Sequence, residues 1–559
     1  MSEPYNPDPA EIRRVKQETE ERLLAIPGVN IVALGGKTTG GRETGELVIQ
    51  VWVDVKRPLE DIPPEERIPA EIDGVKTDVY VGGDIVLVVD PPKGGLVRDG
   101  SMDDYRPRPA LVGGVKCQAE GGPGEGTLGC FVSDPADVSI AYGLTNQHVF
   151  RLTGITDPNT KMGQPSNSSS TCCNDIIGTY GGGSRIVTPQ DGTARDEALI
   201  KLLPGTQFLA QVAEIGYISG SKTVLDTEVH DPANPYLVRK RGARTRLTGG
   251  KVISVQGSTA ANPDNLIIVE PSDNPGRGPG EPLFFDAEGD SGSVLIRTVR
   301  EGVEDKHYVV GLVYARSSTR AELLAKGVPA SSLPPLPADG IERVKGYVLP
   351  IAKILKRFAD IENVDVVVST ASALDQVHTV PGGTTVAVPE EMAARLAGDP
   401  AFVGGTGGDG RVRAPLARSW YAQGRPPDEL LAAFRAQLAA TAVGRQLLAF
   451  WDTHQDELLR LVRTDRRVTI AWHRGGGAAV LQYLLRMITR PELVLPETID
   501  GVPVLDCAHR FADVLAARGG TALATDLEPL RAAVPDIGGR TLAEIMIALG
   551  AVPEEAGHA

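Results

Sequence analysis

The sequence predicts a multidomain protein: an N-terminal α+β module over residues 1–95, an all-β region over 111–370 and a helical C-terminal domain over 415–555. Three observations lead there. At 559 residues the chain exceeds what one hydrophobic core usually serves. Its texture changes at the proline-containing stretch 91–110 and again at the glycine-rich stretch 398–414, both of which read as linkers. Between these stretches, short apolar runs alternate with Gly, Asn, Asp and Pro; beyond the second, apolar residues recur at helical spacing.

In the N-terminal module, Asp8-Pro9-Ala10-Glu11 marks a helix start, with Asp8 as the cap, Pro9 in the first turn and Glu11 placed to reach back. Ile12, Val15, Leu23 and Ile26 predict one buried face, and Pro27-Gly28 ends the helix. Leu47–Val53 and Val75–Val81 read as strands, with a Pro-rich loop from Pro58 to Pro69 between them. The all-β region closes with a helix, because Ile351, Ile354, Leu355 and Phe358 stand on one face. In the C-terminal domain, Leu430, Leu431, Phe434 and Leu438 form one stripe. Val480, Leu481, Leu484, Leu485 and Ile488 form another, and together they predict a bundle of about five or six helices.

Composition narrows the function. Apolar residues make up 41% and charged residues 23%, as in a globular protein. The net charge of −15 argues against nucleic acid, which calls for clustered Lys and Arg. No run is long and apolar enough for a signal peptide core or a bilayer span, so the expectation is a cytoplasmic protein without a membrane partner. Five cysteines, Cys117, Cys130, Cys172, Cys173 and Cys507, fit a reducing compartment with no disulfide framework.

The chemistry concentrates in three motifs. Gly289-Asp290-Ser291-Gly292-Ser293 sets a serine among glycines, where the backbone can turn tightly enough for the Gly289 and Ser291 N–H groups to converge on one developing oxyanion. Val294-Leu295-Ile296 follows as an anchoring strand. A serine hydroxyl needs a base; of eight histidines, His148 lies just past a candidate strand, 139–144, in Thr145-Asn146-Gln147-His148-Val149. The imidazole in turn needs an acid to fix its tautomer. Asp196 opens the apolar strand Asp196–Leu202, with Asp191 and Glu197 as competing candidates. The chain order is His148, Asp196, Ser291.

At these residues the chain resembles the trypsin-like serine peptidases. The resemblance implies an all-β double-barrel protease domain, His148, Asp196 and Ser291 as a catalytic triad, Gly289 and Ser291 as the oxyanion hole, a protein or peptide substrate and no cofactor or metal. More narrowly, Gly126-Thr127-Leu128-Gly129, Arg244-Thr245 with Thr248-Gly249-Gly250-Lys251-Val252, and Gly311-Leu312-Val313 resemble bacterial-type relatives of the plant Narrow-leaf trypsin-like peptidases. That likeness implies a module ahead of the barrel and leaves room for a homo-oligomer. The C-terminal helices resemble nothing we can name and are a candidate platform for a regulatory partner. A latent or inactive protease-fold scaffold that binds and regulates partner proteins is the alternative reading.

Two departures bear on mechanism. In secreted trypsins a freshly cut N-terminus pairs with the Asp before the nucleophile; here that residue is Asp290, inside the chain, so either it has another partner or cleavage occurs in the linker, and another partner is the expectation. Phe285 stands where trypsin carries its specificity acid, with Asp286 next to it, so Phe285 and Asp286 are the candidate specificity pocket. Other features read as structural. Cys172-Cys173 is a loop pair of thiols, and His454-Gln455-Asp456-Glu457 with Trp472-His473 is helix surface and packing. Gly475-Gly476-Gly477 breaks a helix, and Arg239-Lys240-Arg241 is a solvated basic face.

Overall fold

The computed structural model describes residues 8–82, 85–87, 110–121, 125–150, 159–165, 176–185, 196–380 and 434–550, apart from short gaps within them (41, 139, 261, 275–276, 279, 334–335, 363, 372–376, 478–479, 481–483, 485–486, 488–493 and 500–501). Cys172, Cys173, Asp191, Leu430, Leu431 and both expected linkers, up to residue 109 in the first, lie outside these residues. The chain divides into two compact units, one of residues 1–259 and 264–419, the other of 260–263 and 420–559.

The first unit begins with the helix Pro9–Leu24, capped by the Asp8 carboxylate, which accepts the Ala10 N–H at 3.0 Å. Glu11 does not reach back to the cap but pairs with Arg14 one turn on. Ile12, Val15 and Leu23 are buried as their spacing predicts, while Ile26 lies past the helix end and is half-buried. The same face also buries Lys16 and Glu20, 2.7 Å apart, both bonded to Ser258 Oγ (2.8 and 2.7 Å). The expected strands form as Arg42–Val53 and Val75–Val81. A further strand, Val29–Thr39, was not legible, since Gly35 and Gly36 interrupt its apolar run. Gly35 is there for proximity: a Cβ would stand 2.3 Å from the Ile253 carbonyl oxygen of the neighbouring strand Arg246–Thr259. Through that pairing the N-terminal strands share one sheet with the strands that follow residue 111.

Two ladders dominate the β-rich region. In the first, Gly126–Leu128 pairs with Val115–Ala119, which pairs with Lys161–Gly163. The ladder continues through Ile176–Arg185, Asp196–Leu202 and Ala141–Thr145 to Cys130–Ser133, every pair antiparallel. Gly126–Leu128 and Cys130–Ser133 are separated in the chain by Gly129 alone, and Val367–Val368 pairs antiparallel with Cys130–Ser133 at the end of the ladder. In the second, Val294–Glu301 pairs with Glu304–Ser317, that with Gly346–Pro350, and that with Asn262–Asp273. Asn262–Asp273 pairs with Arg246–Thr259, which pairs with Leu237–Gly242, which returns to Val294–Glu301. The strand Glu304–Ser317 carries two more neighbours: Gly216–Ser221 pairs parallel to it around His307–Val309, and Ile85–Leu87 pairs antiparallel to its last residues, with Val86 opposite Arg316.

Alternation explains the interiors. Phe131, Ile200 and Phe208 belong to one apolar cluster; Val238, Val269, Phe285, Leu295, Val313 and Val348 belong to another. The helix Ile351–Glu362 closes the region with Ile351, Ile354 and Phe358 fully buried.

In the second unit, the helices Ala442–Thr464, Arg466–Arg474, Val504–Arg518, Thr521–Ala533 and Leu542–Ala548 pack around two apolar clusters. Phe434 is buried there, with Leu438, Val480 and Leu484 partly buried against it. His454 is buried and bonded through Nε2 to Asp526 at 2.9 Å, a packing role. Among the described residues no helix is long and apolar enough to cross a membrane.

Candidate functional site

The strand Ala141–Thr145 delivers Thr145 and Asn146 into a single helical turn, Gln147–Phe150, which carries His148. The neighbouring strand starts at Asp196, and its register sets Ala198 opposite Thr145, which brings Asp196 beside that turn. Asp196 Oδ1 accepts the backbone N–H of His148 at 2.8 Å, and Oδ2 faces His148 Nδ1 in a hydrogen bond. Asn146 Nδ2 donates to the Asp196 carbonyl at 2.6 Å. The carboxylate thereby fixes both the position of the residue and the tilt of its ring. With Nδ1 facing a carboxylate, the proton sits on Nδ1 and the Nε2 lone pair is open. Nε2 is buried and has no hydrogen-bond partner in this structure, so Ser291 is not bonded to it.

Of the competing acids, Asp191 lies outside the described residues. Glu197 points elsewhere: Arg357, on the closing helix, lies 3.0 Å from its Oε1, while Oε2 accepts the Asp196 N–H at 3.0 Å. Glu197 therefore steadies Asp196 rather than competing with it.

Ser291 sits in the turn between Phe285 and the strand Val294–Glu301. Gly289 has φ +100° and Gly292 φ +93°, a region that side chains disfavour. At Gly292 a Cβ would also stand 2.3 Å from both the Thr127 carbonyl oxygen and Thr145 Oγ1. Thr127, fully buried, ties this turn to the first ladder: its N–H donates to the Ser291 carbonyl at 2.8 Å and its Oγ1 donates to the Gly289 carbonyl at 2.9 Å. Thr145 Oγ1 donates to the Thr127 carbonyl at 2.8 Å. The serine turn is thus connected through Thr127 to the strand that carries His148 three residues on. Among the described residues the Gly289 N–H meets no acceptor.

Asp290 has the partner that its sequence position called for. Lys240 Nζ lies 2.8 Å from its Oδ2, and both side chains are 0% exposed. Burial pushes the Asp290 carboxyl up, but the Lys240 ammonium and the bonds from Lys240 and Thr245 outweigh burial and hold it below the usual range. The reading of Arg239-Lys240-Arg241 as a solvated face is therefore corrected. Lys240 and Arg241 are buried, the latter donating to the Gly114 carbonyl and pairing with Glu214 at 3.2 Å. The signal lay in strand alternation: Val238 and Lys240 are two apart and share the inward face.

Phe285 is buried in the apolar cluster of the second ladder, its carbonyl bonded to Thr248 Oγ1 at 2.8 Å. Asp286 is fully buried, and neither of its carboxylate oxygens has a hydrogen-bond partner. Burial raises its pKa well above the usual range, with Lys240 and Arg316 opposing. Arg316 binds Glu288 and Glu322, 2.7 Å each. Tyr314, also buried, lies close enough to Asp196 to feel its charge, and burial raises its phenol well above the usual range. Tyr314 carried no site signal in the sequence; Thr127 and Lys240 stood out there only within Gly126–Gly129 and Arg239–Arg241, with nothing local to link them to the serine turn.

No protein-family profile and no curated protein matches the sequence. Among solved structures, the crystal structure of a Cellulomonas bogoriensis chymotrypsin is similar over 99% of its own chain and 47% of this one, at 16% identity and a TM-score of 0.27.

Proposed function

We propose that the chain is a serine endopeptidase of the chymotrypsin type, with the two ladders as its two barrels. His148 is the base, Asp196 its orienting acid and Ser291 the nucleophile. The observation that carries this reading is the two-handed grip of Asp196 on His148, which leaves Nε2 without a hydrogen-bond partner at the end of a strand that Thr127 and Thr145 tie to the glycine-bounded serine turn. The narrower reading, a likeness to Narrow-leaf-type peptidases, rests on the sequence stretches that contain Thr127 and Thr245. Thr127 binds the serine turn while Thr245 binds Asp290.

In the reaction Ser291 Oγ attacks the scissile carbonyl carbon as its proton passes to His148 Nε2. The carbonyl electron pair moves to oxygen, and the Gly289 and Ser291 N–H groups receive that charge. Collapse expels the amine, which takes the proton from His148, and leaves an acyl-enzyme on Ser291. Water, deprotonated by His148, releases the acid by the same steps reversed. Labelling the purified chain with a fluorophosphonate tests this reading. The adduct is expected on Ser291, together with cleavage of casein, and both vanish in Ser291→Ala. Folded wild-type protein that neither labels nor cleaves would sink the proposal.

A second reading, a latent form of the same enzyme, has its own support. His148 and Ser291 are buried, Nε2 is not bonded to the serine, and the chain's own strand Ile85–Leu87 occupies the edge of Glu304–Ser317 at Arg316, the residue that binds Glu288 beside the serine turn. An extended peptide docks most readily on such a strand edge. In this reading displacement of residues 85–87 precedes activity. Labelling of wild type against a variant with that pairing broken tests it.

A further inference from the structure

We propose that Lys240 is a positioning residue that holds the Ser291 turn in its working form without any cut N-terminus, so that the activating cation is built into the chain. The inference rests on the peptidase reading above. Asp290 is its lever. The Asp290 carboxylate receives Lys240 Nζ (2.8 Å), Thr245 Oγ1 (2.6 Å) and the backbone N–H groups of Arg244 (2.8 Å), Thr245 (3.0 Å) and Ala287 (3.0 Å). Its backbone is tied on both sides as well: the Asp290 N–H donates to the Ala287 carbonyl and the Ser293 N–H to the Asp290 carbonyl, 2.9 Å each. The turn from 287 to 293 is therefore wound around this one carboxylate. If Asp290 leaves, Gly289 and Ser291, its direct neighbours, lose the orientation of their N–H groups.

A fully buried carboxylate stays in place only with a counter-charge, since an unpaired buried ion is strongly unfavourable. Lys240 supplies it from a rigid place. Its backbone lies in register opposite Thr248 on one side and Leu295 on the other, inside the second ladder. Lys240 Nζ also donates to Thr245 Oγ1, which completes a closed set of three side chains. The approach is made possible by Gly242, where a Cβ would stand 2.2 Å from Asp290 Oδ1. None of these groups belongs to a chain terminus. The pair forms when the ladder forms.

The test is a comparison of wild type, Lys240→Met and the double variant Lys240→Met/Asp290→Asn, with the full chain in each case. Lys240→Met leaves a lone buried carboxylate and can simply unfold. The double variant buries no charge and is near-isosteric, so it is expected to fold, with its unfolding temperature as the check. At equal folded protein, its fluorophosphonate labelling rate at Ser291 is expected to fall at least about 100-fold, and on peptide kcat falls while KM stays within about two-fold, as when an interaction made only in the transition state is lost. In wild type, labelling is expected to be unchanged when the α-amino group is acetylated or extended. A folded double variant that labels like wild type overturns the inference. So does wild type that labels only after cleavage ahead of residue 111 exposes a new amine. Wild type that never labels overturns the peptidase reading and this inference with it.

Discussion

Asp196 holds His148 at two points, Oδ1 on the backbone N–H at 2.8 Å and Oδ2 on ring Nδ1. An amide cannot accept at both points with its nitrogen. Asp196→Asn is therefore expected to turn the ring or invert its tautomer, with labelling of Ser291 reduced about 10³–10⁴-fold and the fold retained. Circular dichroism and labelling kinetics on the same sample check this. An unchanged rate would remove Asp196 from the proposed triad.

Asp286 gives a pH signature. Its folded pKa lies above its unfolded value, so its favourable contribution is complete below the unfolded pKa, about 4, and is lost as pH rises through the folded pKa. Asp286→Asn is expected to match wild-type unfolding temperature near pH 4. Near pH 8 it should exceed it by about 2–4 °C, the shift that about 1 kcal/mol gives in a domain of moderate size. Thermal unfolding across that range decides it. A constant difference between the variants would mean that Asp286 does not titrate in this way.

The edge occupied by Ile85–Leu87 separates the two functional readings. Val86→Pro removes an N–H from the segment paired with Arg316 and disfavours that pairing. If the segment restrains the enzyme, labelling of Ser291 rises several-fold; if not, the rate is unchanged and the latent reading loses its main support.

Gly292→Ala combines a left-handed φ of +93° with a Cβ 2.3 Å from the Thr127 carbonyl oxygen. We expect it to destabilise by about 2–4 kcal/mol, read as a lower denaturant midpoint, and to abolish labelling. Gly302, also at positive φ but with nothing within 4 Å of a Cβ, is the control. Gly302→Ala should lose about 1 kcal/mol and keep its labelling.

Cys117 and Cys130 are buried, and burial raises each thiol to about 12. Both should resist alkylation at pH 8 in the native state and react on unfolding, with mass spectrometry as the readout. Rapid native alkylation would mean that the apolar cluster holding the reactive thiol, that of Phe131 and Ile200 for Cys117 or that of Trp52 and Val294 for Cys130, opens readily.

The sequence by itself determined which residues are candidates for chemistry and much of the local structure. His148, Asp196 and Ser291 are legible as the proposed base, acid and nucleophile because each of these roles needs a particular residue type in a particular local setting, a strand end or a glycine turn. The helix at Asp8 and the closing helix at Ile351 are legible because capping and periodicity are short-range. What only the tertiary structure decided depends on neighbours far along the chain. Val29–Thr39 pairs along its length with Arg42–Val53, and Gly35 lets Arg246–Thr259 come close on its other side, an approach that no local pattern records. Lys240 is a buried counter-ion rather than a surface charge because Asp290, 50 residues away, folds onto it. Glu197 yields its place to Asp196 because Arg357 waits on the closing helix. A buried charge is tolerable only beside its partner, and the fold, not the local sequence, brings the two together.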